Sequence, residues 1–191
     1  MCIRDSLFGM DERWGTLIIV VMIISMLVGS FGGLAENSLR RVLGYQMLNG
    51  MPFMLVMMAF TTHDAQRALG AGILYMIHHM ITMGSLILAS GAIEETYGTG
   101  RLNKLSGLAR RDPIIAWIFA AGAFSIVGFP PFSGMWGKVL IVAEVARTGG
   151  GWAWAVIAVI IIASFAAFLA MLRVWRRVFW GKDLPLSLIH I

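Results

Sequence analysis

Charge is what this sequence most lacks. Its 191 residues include 15 Lys and Arg and 10 Asp and Glu, so 13% are charged while 59% are hydrophobic. An ordinary globular domain is about 25% charged and about 45–50% apolar. So few charges cannot cover a soluble fold, and the mean hydropathy of +0.81 agrees. Cysteine is almost missing too. A single Cys2 excludes an intrachain disulfide, a cysteine-held metal and an iron–sulfur cluster. Gly98-Thr99-Gly100 lacks the strand and third glycine of a dinucleotide fingerprint. No nucleophile–base–orienter set, low-complexity tract or repeat of about 20–50 residues is present. Soluble enzyme, nucleic-acid binder and disulfide-rich module are thereby excluded, and no cofactor or metal site is expected. The net charge of +5 is read first as membrane topology, not as a nucleic-acid surface.

What the chain has instead is long apolar runs. Cut at the charged clusters, they predict an all-α, polytopic transmembrane bundle of five spans, at 15–36, 42–61, 69–93, 113–146 and 152–172. A helix rises about 1.5 Å per residue, so about 20 apolar residues cross a bilayer core. The fourth run is too long for one straight crossing and too short for two. It holds Gly128-Phe129-Pro130-Pro131, and proline has no N–H to give the helical ladder. One crossing made of two half-helices is expected, and such breaks are tolerated only where buried in protein or lining a cavity.

The basic residues divide by side. Arg40, Arg41, Arg101, Lys104, Arg110, Arg111, Arg173, Arg176, Arg177 and Lys182 follow spans one, three and five, whereas Arg4, Arg13, Arg67 and Arg147 lie on the other side. The positive-inside rule then puts the 94–112 loop and the C-terminal side in the cytoplasm and the N-terminal side outside. Trp152, Trp154, Trp175 and Trp180 fall where an interfacial aromatic belt is expected. The transmembrane domain is expected over 13–182. The ends, 1–8 and 184–191, fit neither a signal peptide nor a helix anchor and read as non-native.

One basic residue obeys no such rule. Lys138 lies nine residues before Arg147, about 13 Å from the outer interface along a helix and so near the middle of a core about 30 Å thick. An ammonium there costs at least about 2.5–3.5 kcal/mol and usually faces water or a partner on an ion pathway. That depth exceeds what a lysine side chain spans by snorkelling, and Glu144 at i+6 is off its helical face. His78 and His79 are about as deep in span three. A neutral imidazole both donates and accepts, so it can relay protons between waters. Neighbouring side chains point about 100° apart, so one of the two is expected on the path. Binding to a neighbouring helix is the structural alternative for either ring. Gly29, Gly32 and Gly33 read as a packing surface, Glu36, Arg40 and Arg41 as anchors, and Glu94, Glu95, Arg101, Lys104, Arg110 and Arg111 as a solvated loop.

Four stretches carry a family resemblance. They are Ser38-Leu39-Arg40-Arg41-Val42-Leu43-Gly44-Tyr45, Tyr75-Met76-Ile77-His78-His79-Met80-Ile81-Thr82-Met83-Gly84, Gly128 through Lys138, and Met171-Leu172-Arg173-Val174-Trp175-Arg176-Arg177-Val178-Phe179-Trp180-Gly181. Together they resemble the antiporter-like subunits shared by respiratory complex I, membrane-bound hydrogenases and the multisubunit Mrp-type sodium/proton antiporters, above all the D-type member of the last. The resemblance implies that Lys138 is the outer lysine of a hydrated chain of titratable groups and His78 its relay histidine, since it takes the motif position better than His79. Asn49 is the polar residue left where complex I relatives often carry a histidine, and Pro52 replaces a usual glycine. The family's acidic residue and inner lysine belong to earlier helices, so a C-terminal fragment is expected.

The resemblance implies proton and Na⁺ (or K⁺) translocation alongside other subunits of a membrane antiporter complex, within the lipid bilayer of the cell membrane, by a transporter rather than an enzyme. Lys138, His78 and His79 are the expected pathway residues, Gly128, Pro130 and Pro131 the helix break, and Asn49 and Glu144 secondary candidates. The rival readings are a proton-pumping subunit of a quinone-linked oxidoreductase or hydrogenase, and a membrane scaffold that conducts nothing.

Overall fold

The computed structural model describes residues 12–61 and 63–181, with Glu12 described by its backbone alone. Cys2, Arg4, Lys182 and the two suspect ends lie outside the described residues. Within those bounds seven helices follow in order: α1 (Glu12–Ala35), α2 (Leu39–Leu55), α3 (Ala65–Tyr97), the single turn α4 (Leu108–Arg111), α5 (Pro113–Val127), α6 (Ser133–Thr148) and α7 (Gly150–Val174). α2 runs on as a tighter 3₁₀ turn over Val56–Phe60, and α7 closes in a π-helical turn over Trp175–Phe179. Among the described residues there is no strand, only an isolated antiparallel bridge between Ser38 and Arg101.

Local sequence explains most of the boundaries. The Asp64 carboxylate accepts from the Arg67 N–H at 3.1 Å and caps the start of α3. At its other end Gly98, at φ 67°, takes the left-handed conformation that stops a helix. Pro113 opens α5, where its missing N–H is no loss. The predicted third span, 69–93, is too short: the helix continues through Glu94 and Glu95 to Tyr97, because Glu94 pairs with Arg40 across the bundle end.

Among the described residues, four helical segments are long and apolar enough to cross a membrane: Arg13–Ala35, Leu39–Phe60, Ala65–Tyr97 and Gly150–Phe179. The fourth predicted span is the pair α5–α6, and both halves pack on α3. A Cβ on Gly122 would meet Leu86, one on Gly134 would meet His78, and one on Gly137 would meet Tyr75. Rising numbers in α5–α6 thus oppose falling numbers in α3, so the two halves run in one direction as one interrupted crossing.

The outside is apolar. Leu88, Trp117, Ile114 and Ile81 are at least 70% exposed, the reverse of a water-facing surface and what a lipid-facing one requires. Inside are two apolar clusters. One, at the loop end, includes Leu43, Leu86, Phe119 and Val174; the other, at the far end, includes Met26, Phe53, Tyr75, Ile141 and Val156. Between them lies a polar layer to which α2, α3, α5, α6 and α7 contribute: Gln46, Asn49, His78, His79, Ser125, Lys138 and Ser164.

The loop end is bound more tightly than its charges suggest. Leu102, Leu105 and Leu108 are buried and anchor the 98–107 segment to the bundle end, while its charged residues Arg101 and Lys104 stay exposed, as expected of a solvated loop. Tyr97 donates to Asp112, and Arg173 donates to the Leu34 carbonyl and, at 2.7 Å, to Asn37 Oδ1.

Candidate ion-path site at the helix break

Pro130 and Pro131 create the seat that Lys138 occupies. In an unbroken helix the carbonyls of Ile126 and Val127 would accept from the N–H groups of residues 130 and 131. Both of those are proline and have none. The ladder turns off at Gly128, φ 90°, whose N–H is shared between the Phe124 and Ser125 carbonyls, while the Phe129 N–H reaches back to Phe124. The two freed carbonyls are taken by Lys138, one turn into α6: its Nζ donates to Ile126 at 3.2 Å and to Val127 at 2.8 Å. A third donation, at 3.1 Å, reaches Ser164 Oγ on α7. An ammonium has three donors, and here all three are used. The acceptors sit at the C-terminal, negative end of the α5 dipole, which favours a cation.

Each hydrogen bond from a charged group contributes about 1.5–3 kcal/mol. Two or three of them offset the insertion cost of about 2.5–3.5 kcal/mol. Lys138 is buried, and the Phe53 ring lies 5.2 Å from Nζ, adding a cation–π contact. It neither snorkels nor pairs with Glu144, whose carboxylate is 3.5 Å from Arg147 in the same helix. Glu144 therefore lies off this site. A lateral groove of about 770 Å³ between α6 and α7 reaches Lys138 and Ser164 past Phe129, Val139 and Phe165. A smaller cavity between α5 and α7 is lined by aliphatic and aromatic side chains and holds no titratable group.

His78 belongs to the same junction. Its Nδ1 is 2.9 Å from Ser133 Oγ, on the first turn of α6, and 3.3 Å from Thr82 Oγ1 one turn along α3. Ser133 Oγ lies 3.5 Å from Ser125 Oγ, so hydroxyls bridge the two half-helices beside the imidazole. The approach requires glycine at 134, where a Cβ would fall 1.8 Å from the Ser125 carbonyl oxygen and 2.9 Å from His78 Nε2. His79 faces the other way. Its ring lies against α2 at Gly50, where a Cβ would come within 1.9 Å, and stacks on Tyr75 at 5.8 Å. The Met47 backbone is close to it but outside hydrogen-bond geometry.

Asn49 is buried on α2 beside Gly50, and its backbone abuts Gly29. Gly29, Gly32 and Gly33 form the packing surface expected of them, against Asn49, Tyr45 and Gln46. The structure thus joins Lys138, His78 and the break, and places His79 and Asn49 on a separate face. Sequence reading missed Ser125, Ser133, Thr82, Ser164 and Gln46. For Ser125 and Ser164 the available signal was a lone hydroxyl inside an apolar run.

Fold and site together define a multi-pass helical membrane protein with a lysine seated on a broken helix. A family model described as NADH:quinone oxidoreductase/Mrp antiporter, transmembrane, matches residues 1–169, and the chain belongs to that family. It is similar to the D-type Na⁺/H⁺ antiporter subunit of Alkalihalophilus pseudofirmus, 29% identical over 88% of this chain and 33% of the relative. It is also similar to the N-type NADH-quinone oxidoreductase subunit of Hirschia baltica, 30% identical over 94% of this chain and 37% of the relative. Among solved structures, a chain of the Mrp complex from a Dietzia species superposes with a TM-score of 0.85 at 36% identity, over 92% of this chain and 32% of the other. The chain spans about a third of the length of the curated relatives it matches.

Proposed function

We propose that residues 13–182 are one transmembrane domain of a multisubunit Na⁺/H⁺ antiporter, and that protons cross it by way of Lys138, His78 and water. The observation that carries this reading is the seat of Lys138. Its ammonium rests on two backbone carbonyls and a hydroxyl, and no carboxylate among the described residues pairs with it. Neutral acceptors leave no stranded counter-ion when the proton departs, so the side chain can alternate between charged and neutral forms. His78, held by Ser133 at the same break, is the nearest imidazole on the α6 side and the natural donor or acceptor for that proton. The loop end, rich in Arg and Lys, would face the cytoplasm, with the N-terminal side outside.

The likeness to an oxidoreductase subunit supports a second reading, a proton-pumping subunit of a redox-driven complex. Everted membrane vesicles separate the two. In the antiporter, an imposed proton gradient is dissipated on adding Na⁺ or K⁺ without any electron donor, and Lys138→Ala abolishes that response while the complex still assembles. Cation-independent, donor-dependent pumping would establish the second reading. Wild-type cation-driven exchange in Lys138→Ala would remove Lys138 from the path.

A further inference from the structure

The smaller cavity, between α5 and α7, belongs to the outside of the bundle. Its volume is about 310 Å³. Ala116 and Ala120, both buried, lie at its base, and Trp117, Phe124, Phe168 and Trp175 wall it. Trp117 and Phe124 are exposed, so the cavity opens sideways toward the hydrocarbon. It begins at Pro113, at the loop end, and reaches Val127, at the helix break. The helix between those residues rises about 21 Å. Half of a bilayer core is about 15 Å, so the groove is one leaflet deep.

Two cations stand at its loop end. Ala109 and Trp175 line that end, and next to them in the chain are Arg110 and Arg176. α4, which carries Arg110, packs on the π-helical turn that carries Arg176. Arg40, Arg41, Arg67 and Arg147 each pair with a carboxylate. Arg110 and Arg176 are exposed, and no carboxylate among the described residues pairs with either. Asp112, two residues from Arg110, accepts from Tyr97 instead.

The shape and the charge select one kind of occupant. A helix is about 10–12 Å across, too broad for this cavity, whereas an alkyl chain is thin enough to lie in it. An acyl chain gains little by leaving bulk lipid for an apolar groove, because lipid is as apolar as leucine. The headgroup therefore decides which lipid stays. Arginine suits a phosphate, which it can hold through two parallel N–H bonds.

We propose that this groove holds an anionic phospholipid, with one acyl chain between α5 and α7 and the phosphate between Arg110 and Arg176. The end of the chain rests on Val127, whose carbonyl holds Lys138. The lipid thus packs behind the seat of the lysine without touching its ammonium. Such a site needs only a bilayer, whatever the protein carries across it.

Light-induced crosslinking tests the site in the assembled complex, held in phosphatidylcholine vesicles with a trace of phosphatidylglycerol that bears a diazirine at the end of one acyl chain. Adducts should concentrate in the peptides that hold residues 116–127 and 168–175. A basic residue near the surface favours an anionic lipid by about fivefold. Unlabelled phosphatidylglycerol should therefore displace the tracer at least about tenfold better than added phosphatidylcholine, and Arg110→Gln combined with Arg176→Gln should lower labelling about as much. Adducts spread evenly over other lipid-facing positions, such as Ile81 and Leu88 on α3, or displaced equally by both lipids, would overturn the site. So would adducts on another subunit alone, which would mean that a neighbouring helix covers the groove, or undiminished labelling in the double variant. The unsubstituted protein decides most of these outcomes, so a variant that fails to assemble leaves the test intact. No transport is read, so failure here leaves the role of Lys138 standing, and failure of Lys138→Ala leaves the lipid site standing.

Discussion

His78 and His79 are neighbours in the chain and occupy different chemical worlds. His78 turns toward the broken helix, where Ser133 and Thr82 hold one ring nitrogen. His79 turns toward α2, where glycine and an aromatic ring surround it and none of the described residues partners either nitrogen. The difference comes from the roughly 100° that separates successive side chains on a helix, and from what packs against each face. One face meets a helix whose ladder has failed and offers hydroxyls and carbonyls. The other meets α2, which stays helical through Pro52, the Leu48 carbonyl freed by that proline being taken by Ser25 at 3.4 Å. Polarity at the midplane therefore has two arms: a hydrogen-bonded junction on the α6 side, and on the α2 side a buried layer whose polar atoms find no partner among the described residues.

The largest effect expected on the first arm is that of Lys138→Ala, which should bring cation-driven proton exchange in everted vesicles down to background. Next comes the seat itself. Restoring N–H groups with Pro130→Ala and Pro131→Ala would let the ladder reclaim the Ile126 and Val127 carbonyls that Lys138 uses. Losing two charge-assisted bonds of about 1.5–3 kcal/mol each should cut exchange by at least about tenfold; an unchanged rate would show that the prolines matter only for shape. Packing on the second arm is probed by Gly50→Ala. Its Cβ would fall 1.9 Å from the His79 ring, and overpacking of that kind costs about 1–3 kcal/mol, which should show as a lower Tm of the detergent-solubilised complex.

Smaller effects sharpen the contrast between the rings. His78→Ala should slow exchange more than His79→Ala, because only His78 reaches the helix break, through Ser133. The reverse order would exchange the two arms. Ser133→Ala removes one hydrogen bond, of about 0.5–1.5 kcal/mol, and should slow exchange a few-fold without changing assembly. The smallest change belongs to Glu144→Gln. Its carboxylate pairs with Arg147 in the same helix, a contact worth about 0.2–1 kcal/mol, so exchange should stay at the wild-type rate.

Much of the architecture is legible in the sequence because hydrophobic length and proline act locally. Runs of apolar residues predict the crossings, and Pro130-Pro131 predicts the interruption that splits the fourth into α5 and α6. Lys138 stands out because a midplane ammonium has few explanations. The partners of these residues are not legible. Ser133 precedes Lys138 by 5 residues and Ser164 follows it by 26, and a hydroxyl in the sequence does not say which group it will meet. Charge marks Arg101 and Lys104 as solvated, and they are exposed; what charge does not reveal is that the leucines at 102, 105 and 108 anchor the segment beneath them.

The sequence by itself determined that this chain is a membrane bundle, where it crosses, where one crossing must break, and which charge is out of place. These follow from transfer free energy and from the missing N–H of proline, which depend on residue type and spacing alone. The tertiary structure decided which groups meet. It brought the two carbonyls freed by proline under one ammonium, gave His78 hydroxyls and His79 none, and lined Gln46 and Asn49 up behind a glycine face. Helix rotation and packing fix those meetings, because a polar atom's partner is chosen by the neighbouring helix and not by the neighbouring residue.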